Sequence, residues 1–99
     1  MPSDPVLVPR AQLPMRHPYV APRTATEEQL AEVWREVLSM DRVGVEDDYH
    51  DLGGDSLHAS IIFMMIEERF RIALPIAKLA QASTVAQLAQ VIDEAVATR

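Results

Sequence analysis

The stretch Asp48-Tyr49-His50-Asp51-Leu52-Gly53-Gly54-Asp55-Ser56-Leu57, continuing into His58-Ala59-Ser60-Ile61-Ile62-Phe63-Met64-Met65-Ile66-Glu67-Glu68-Arg69-Phe70, decides how this chain folds. Its first part has acids, a paired glycine and no helical period. Its second part is apolar-rich and contains neither proline nor glycine, which predicts a helix from Ser56 to Phe70. Gly53-Gly54 permits backbone angles closed to other residues and keeps side chains out of the way of an approaching molecule. Ser56 therefore falls at the mouth of a helix. Backbone N–H groups there lack intrahelical partners and the peptide dipoles add partial positive charge, so an attached phosphate would be favoured. Asp55 or Ser56 can equally serve as a plain N-cap, which by itself accounts for a serine in this place.

Outward from that stretch the pattern stays helical. Leu30, Val33, Trp34, Val37 and Leu38 recur at i, i+3, i+4, i+7 and i+8, predicting a first helix over 27–40, with Thr24 and Glu27 as a capping box. Trp34 lies on that stripe and reads as a core anchor. Residues 41–55 form a long ordered loop. After Pro75 a short third helix is expected over 76–81, and Val85, Leu88, Ala89, Ile92 and Val96 predict a last helix over 85–96, opened by Thr84 with Gln87. No alternation or hairpin signal suggests strands. The expected fold is all-α: a small four-helix bundle, three main helices plus the short third one, with a long loop before helix 2. Six of the seven prolines lie at or before Pro22, so residues 1–23 read as a proline-rich arm or linker and 24–99 as the domain proper.

Composition limits the functions open to such a fold. A chain of 99 residues fits one small domain, with little room for an enclosed active site. With 48% hydrophobic and 24% charged residues it has enough apolar surface to fold. A formal charge of -6 and the lack of a basic cluster with interleaved aromatics make nucleic acid a poor partner and suit partners with basic docking patches. No cysteine is present, so disulfides and thiolate metal sites are out, and a cytoplasmic setting is expected. The apolar run from Ala59 to Ile66 is too short to span a bilayer, and the N-terminus lacks the pattern of a signal peptide.

Asp48, Tyr49, Asp51, Leu52, Gly53, Gly54, Ser56 and Leu57 match the carrier motif of nonribosomal peptide synthetases, and the chain resembles their peptidyl carrier (thiolation) domains, part of the phosphopantetheine-binding, acyl-carrier-like family. His50 departs from the pattern, standing where a second aromatic is usual. The resemblance runs from Tyr19 to the C-terminus: Tyr19-Val20-Ala21-Pro22-Arg23-Thr24 with Glu27, Glu28, Gln29, Leu30 and Trp34 resembles the approach to the first helix, and Leu74-Pro75 and Ser83-Thr84-Val85 with Leu88-Ala89 the later helix starts. Val8-Pro9-Arg10-Ala11-Gln12-Leu13-Pro14 resembles the junction that joins an adenylation domain to its carrier. The resemblance implies that Ser56 accepts 4′-phosphopantetheine from coenzyme A, delivered by a phosphopantetheinyl transferase using Mg²⁺. Asp51, Leu52, Gly53, Gly54, Asp55 and Leu57 would be its supporting motif, with Asp51 and Asp55 guiding docking and Leu57 anchoring the start of helix 2. It also implies a monomeric, non-catalytic carrier that shuttles aminoacyl or peptidyl thioesters among adenylation, condensation, thioesterase or tailoring domains.

Helix 2 is apolar on nearly every side, more than a bundle helix needs. With Ala59, Ile62, Phe63, Ile66 and Phe70 facing inward, Leu57, Ile61, Met64 and Met65 are expected to point outward. They form a docking strip for partner domains unless the loop or the third helix covers them. Family members commonly carry polar or basic residues at some of these positions.

Competing chemistries lack residues or spacing they need. Gly54-Asp55-Ser56-Leu57 spells the signature of a serine esterase family, but that chemistry needs a base and oxyanion donors. The chain has no asparagine and no histidine after His58, which sits two positions from Ser56 on the wrong part of a helix turn. Asp47, Asp48, His50, Asp51 and His58 have metal-ligand types, but their spacing fits neither a helical His pair nor an EF-hand. A polyketide-type acyl carrier and an unmodified helical adaptor remain the alternatives.

Overall fold

The computed structural model describes residues 7–98. Three α-helices make up its frame: α1 (Ala25–Leu38), α2 (Ser56–Phe70) and α3 (Val85–Thr98). The short third helix expected after Pro75 is a 3-10 turn, Ile76–Ala80, and a second 3-10 turn spans Arg10–Gln12. Extended pairing among the described residues is limited to isolated bridges, Val8 with Met40 and Asp48 with Thr84.

Local chemistry sets the helix ends. Thr24 Oγ1 accepts the Glu27 amide at 3.1 Å, and the Glu27 carboxylate reaches back to the Arg23 amide at 2.8 Å, so the box closes one residue earlier than the usual reciprocal arrangement. The Arg23 guanidinium also binds Glu27, and this hydrogen bonding holds the Glu27 carboxyl below its ordinary range despite burial. α1 stops at Leu38, short of the expected Met40, because Ser39 turns into the left-handed region at φ 55° and the Met40 amide returns to the Arg35 carbonyl. Met40 is thereby buried between α1 and the N-terminal segment. α2 starts and stops where expected, with Arg71 at φ 57° ending it. α3 opens on Thr84, whose Oγ1 accepts the Gln87 amide at 3.2 Å, and runs two residues beyond Val96.

α1 packs against both α2 and α3, while α2 also meets the 3-10 turn. Leu30, Val33 and Trp34 of α1, Ala59, Ile62, Phe63 and Ile66 of α2, and Val85, Leu88, Ala89 and Ile92 of α3 form the core. Trp34 is fully buried, with its ring edge-on to Tyr49 at 5.4 Å between centroids. Phe70, expected to face the core, is half-buried against it. The loop 39–55 is not a surface connector: Val43, Val45, Tyr49 and Leu52 are buried core residues, each contributing about 1.5–3 kcal/mol by leaving water.

The described part of the N-terminal segment, 7–23, lies along the bundle. The Val8 amide donates to Ser39 O at 2.7 Å, the Asp41 amide to Val8 O at 3.1 Å, and the Val45 amide to Val20 O at 2.9 Å. Its prolines keep it from α-helix but not from docking.

Candidate functional site: the serine at the start of helix two

Ser56 is the first residue of α2 and is exposed. Asp55, not Ser56, is the N-cap: its backbone is extended and its Oδ1 accepts the His58 amide at 2.9 Å. That division of labour leaves the serine hydroxyl without a side-chain hydrogen bond among the described residues, while its carbonyl accepts Ser60 Oγ at 3.1 Å. His58 Nδ1 lies 3.0 Å from Asp55 Oδ1, so the imidazole faces the capping carboxylate instead of the serine oxygen.

Each element of the preceding motif has a defined task. Gly53 has φ 83°, a conformation that costs a side-chain-bearing residue about 1–2 kcal/mol, and the space around it is open. Gly54 serves the interior. A Cβ there would sit 2.2 Å from Cζ of the Tyr49 ring, which is itself buried. Tyr49 Oη donates to Asp55 O at 2.6 Å, linking the core directly to the residue before Ser56. Burial, reinforced by the Asp55 charge, pushes the Tyr49 phenol up to about 12. Leu52 is buried, whereas Leu57 is 69% exposed. The expectation that Leu57 anchors the helix start is therefore corrected: Tyr49 and Leu52 anchor it, because the first turn of α2 presents position 57 to solvent.

The acids of the loop are individually held. Asp48 Oδ2 accepts Ser83 Oγ at 2.7 Å and its Oδ1 the His50 amide at 2.8 Å. Burial works to raise the Asp48 carboxyl, but these hydrogen bonds outweigh it and leave the group below its ordinary range. The Tyr49 amide donates to Ser83 O at 2.8 Å, so the turn before α3 braces the loop. Asp51 receives both Nε and Nη2 of Arg16, at 2.8 and 3.0 Å, and the buried Asp47 receives Arg10. The pairing of Arg10 with Asp47 is not legible in the sequence; neither type nor spacing signals a pair 37 positions apart.

Beyond Ser56, Met64 is 61% exposed, Ile61 and Met65 are half-buried, and Ile76 of the 3-10 turn is exposed. A cleft of about 370 Å³ beside the serine is lined by Tyr49, Asp55, Ser56, Ala59, Ile76 and Leu79, among others. An exposed hydroxyl on a helix N-terminus, opening onto a partly apolar cleft, fits a phosphodiester-linked arm: the helix end favours the phosphate and no side chain blocks it.

Residues 28–92 match the phosphopantetheine attachment site family. The chain is 48% identical over 82 residues to chondramide synthase of Chondromyces crocatus, covering 83% of this chain and 2% of that protein, so it spans only a small fraction of the curated relatives it matches. It resembles a peptidyl carrier protein solved in complex with the phosphopantetheine transferase Sfp and coenzyme A (TM-score 0.73, 36% identity, 82% of this chain and 100% of that one). It also resembles a solution structure described as a prototype for the peptidyl carrier domains of modular peptide synthetases (TM-score 0.69, 35% identity, 76% and 99% covered). With a free serine on a braced helix start, and with this likeness over most of its length, the chain belongs to the phosphopantetheine attachment site family and is a peptidyl carrier (thiolation) domain.

Proposed function

We propose that Ser56 is the residue that bears 4′-phosphopantetheine, and that the chain shuttles aminoacyl or peptidyl thioesters between the catalytic domains of a nonribosomal peptide synthetase. The observation that carries this reading is the exposed, untied Ser56 hydroxyl at the start of α2, preceded by a loop whose residues are fixed from both sides. Coenzyme A supplies the arm through a phosphopantetheinyl transferase: the Ser56 oxygen forms a phosphodiester with the pantetheine-side phosphorus as the diphosphate bond breaks and adenosine 3′,5′-bisphosphate leaves. The thiol at the tip of the arm carries the cargo. The chain's own residues present the serine: Tyr49 and Leu52 hold the loop in the core, Gly53 and Gly54 allow its path, and Asp55 caps the helix.

The tether does its work by effective concentration, turning diffusive encounters between cargo and active sites into local ones. Adenylation, condensation, thioesterase or tailoring domains are the partners in this reading. Leu57 and Met64 would form the exposed centre of their docking face, with Ile61 and Met65 at its edge and Asp51 and Asp55 as polar guides. Residues 1–23 would be the junction from a preceding adenylation domain and 24–99 the carrier proper, working as a monomer in the cytoplasm. Among the described residues no helix is long and apolar enough to cross a membrane.

Intact mass tests the assignment. Incubation with coenzyme A, Mg²⁺ and a broad-specificity transferase should add a single phosphopantetheine to the parent and nothing to a folded Ser56→Ala variant. Modification surviving in that variant, or a folded parent that stays unmodified, would sink it.

A further inference from the structure

The buried polar side chains among the described residues are Arg10, Glu27 and Asp47, and two of these join the N-terminal segment to the loop before Ser56. Arg10 Nε donates to Asp47 Oδ2 at 2.7 Å and Nη2 to Oδ1 at 2.6 Å, so the guanidinium fork fixes both carboxylate oxygens. Nη2 also donates to His17 O at 2.8 Å, closing the segment on itself, and Asp47 Oδ2 accepts the Gly44 amide at 2.8 Å. The segment crosses the loop again at Gly44, where an added Cβ would lie 3.1 Å from Val20 N and 3.2 Å from Tyr19 Cδ1. Tyr19 stacks against both the Arg10 and the Arg42 guanidinium, at 5.5 and 4.1 Å from its centroid. Two residues after Asp47 stands Tyr49, whose hydroxyl holds Asp55 O. The path from Arg10 thus runs by hydrogen bonds to Asp47, along two positions of the chain to Tyr49, and by a hydrogen bond to the residue before the serine.

We propose that residues 8–20 are a clamp that sets the position of Ser56 for phosphopantetheine transfer, with Arg10 as its positioning residue. The inference rests on Ser56 being the acceptor. A buried ion pair is a poor device for stability alone, since well-packed apolar residues would hold the two segments as well. What the fork adds is direction: both oxygens of Asp47 are oriented, and with them the turn from Gly44 to Asp47. On the opposite side the loop rests on Ser83, so releasing Arg10 removes the buried ion pair that holds the other side and leaves there only the exposed Arg16–Asp51 pair and the Val45–Val20 backbone hydrogen bond.

Arg10→Lys retains the charge without the fork, and Arg10→Ala removes both. Each is compared with the parent full-length chain by amide hydrogen exchange and by the kinetics of phosphopantetheine transfer from coenzyme A onto Ser56, at a temperature where circular dichroism is parental. In Arg10→Ala, exchange should accelerate across 44–55 while α1 and α3 stay protected. kcat/KM should fall on the order of tenfold, mainly through KM for the carrier, because fewer molecules hold the competent loop at any moment. Arg10→Lys should be intermediate in both. Parental kinetics in the variants, or acceleration spread evenly over α1 and α3, would overturn the clamp. Should Arg10→Ala not fold, Arg10→Lys decides on the same readouts. A parent that is never modified at Ser56 defeats the acceptor reading instead, and the exchange map then decides the clamp.

Discussion

The chain on the two sides of Ser56 is built on opposite plans. Before the serine, from Gly44 to Asp55, most polar side chains have partners and the apolar ones are buried: Asp47 holds Arg10, Asp48 holds Ser83, Tyr49 reaches Asp55, and Leu52 is inside. After it, the outward side of α2 exposes Leu57 and Met64 with no partner surface over them, though Ala59, Ile62, Phe63 and Ile66 one face away are buried. A rigid approach fixes where the serine sits, while an adaptable apolar face with a flexible methionine can meet more than one surface in turn. A carrier needs both, and the two properties cannot share the same residues.

That contrast predicts a steep gradient of mutational cost. Asp47→Ala should be the most damaging, at about 3–5 kcal/mol, because it leaves the buried Arg10 unpaired. A shift of the urea unfolding midpoint within error of the parent would show that the loop is not held there. Gly54→Ala should follow at about 3 kcal/mol, since the new methyl collides with the buried Tyr49 ring and forces it from the core. Loss of the tyrosine's near-ultraviolet dichroism would report the displacement, and a retained signal would contradict it.

Tyr49→Phe removes one hydrogen bond and should cost about 1 kcal/mol. The same phenol gives a pH test. Its folded value is raised from 10.0 to about 12, so its contribution is complete below 10 and is lost as pH rises through about 12. An absorbance titration in which every tyrosine ionises at 10 with the fold intact would count against it. Glu27 and Asp48 act at the other end. Both are lowered in the fold from ordinary values of 4.5 and 3.8, so their stabilisation is present above those values and disappears as pH falls through the lower folded ones. A stability curve flat through that acid range would remove them from the account. Smallest of all, Met64→Glu should change stability by no more than about 0.5 kcal/mol. Its effect should appear instead as slower turnover with partner domains, and an unfolded variant would show that the face belongs to the core.

Much of the frame was legible from residue order, because helix signals are local. The boundaries of α2, the inward set Ala59, Ile62, Phe63 and Ile66, and the caps at Thr24 and Thr84 all depend on neighbours within four positions. The candidate serine stood out for the same reason, since its glycines and acids adjoin it. The sequence shows the loop as ordered but not as core, since the two-residue spacing of Val43, Val45 and Tyr49 is interrupted by the charged Asp47 and lost at Leu52. From residue order Gly53-Gly54 signals backbone freedom and open approach for another molecule, whereas the missing side chain of Gly54 makes room for a ring five positions away.

Residue order therefore settles where the helices begin and end and which serine stands at a helix mouth, because propensity, capping and periodicity act over one or two turns. Three-dimensional packing settles what holds that serine in place. Arg10 and Asp47 are 37 positions apart, and Ser83 and Asp48 are 35 apart. Such pairs carry no periodic signature; they exist because burial of the core brings distant polar groups together away from water, where each must find a partner.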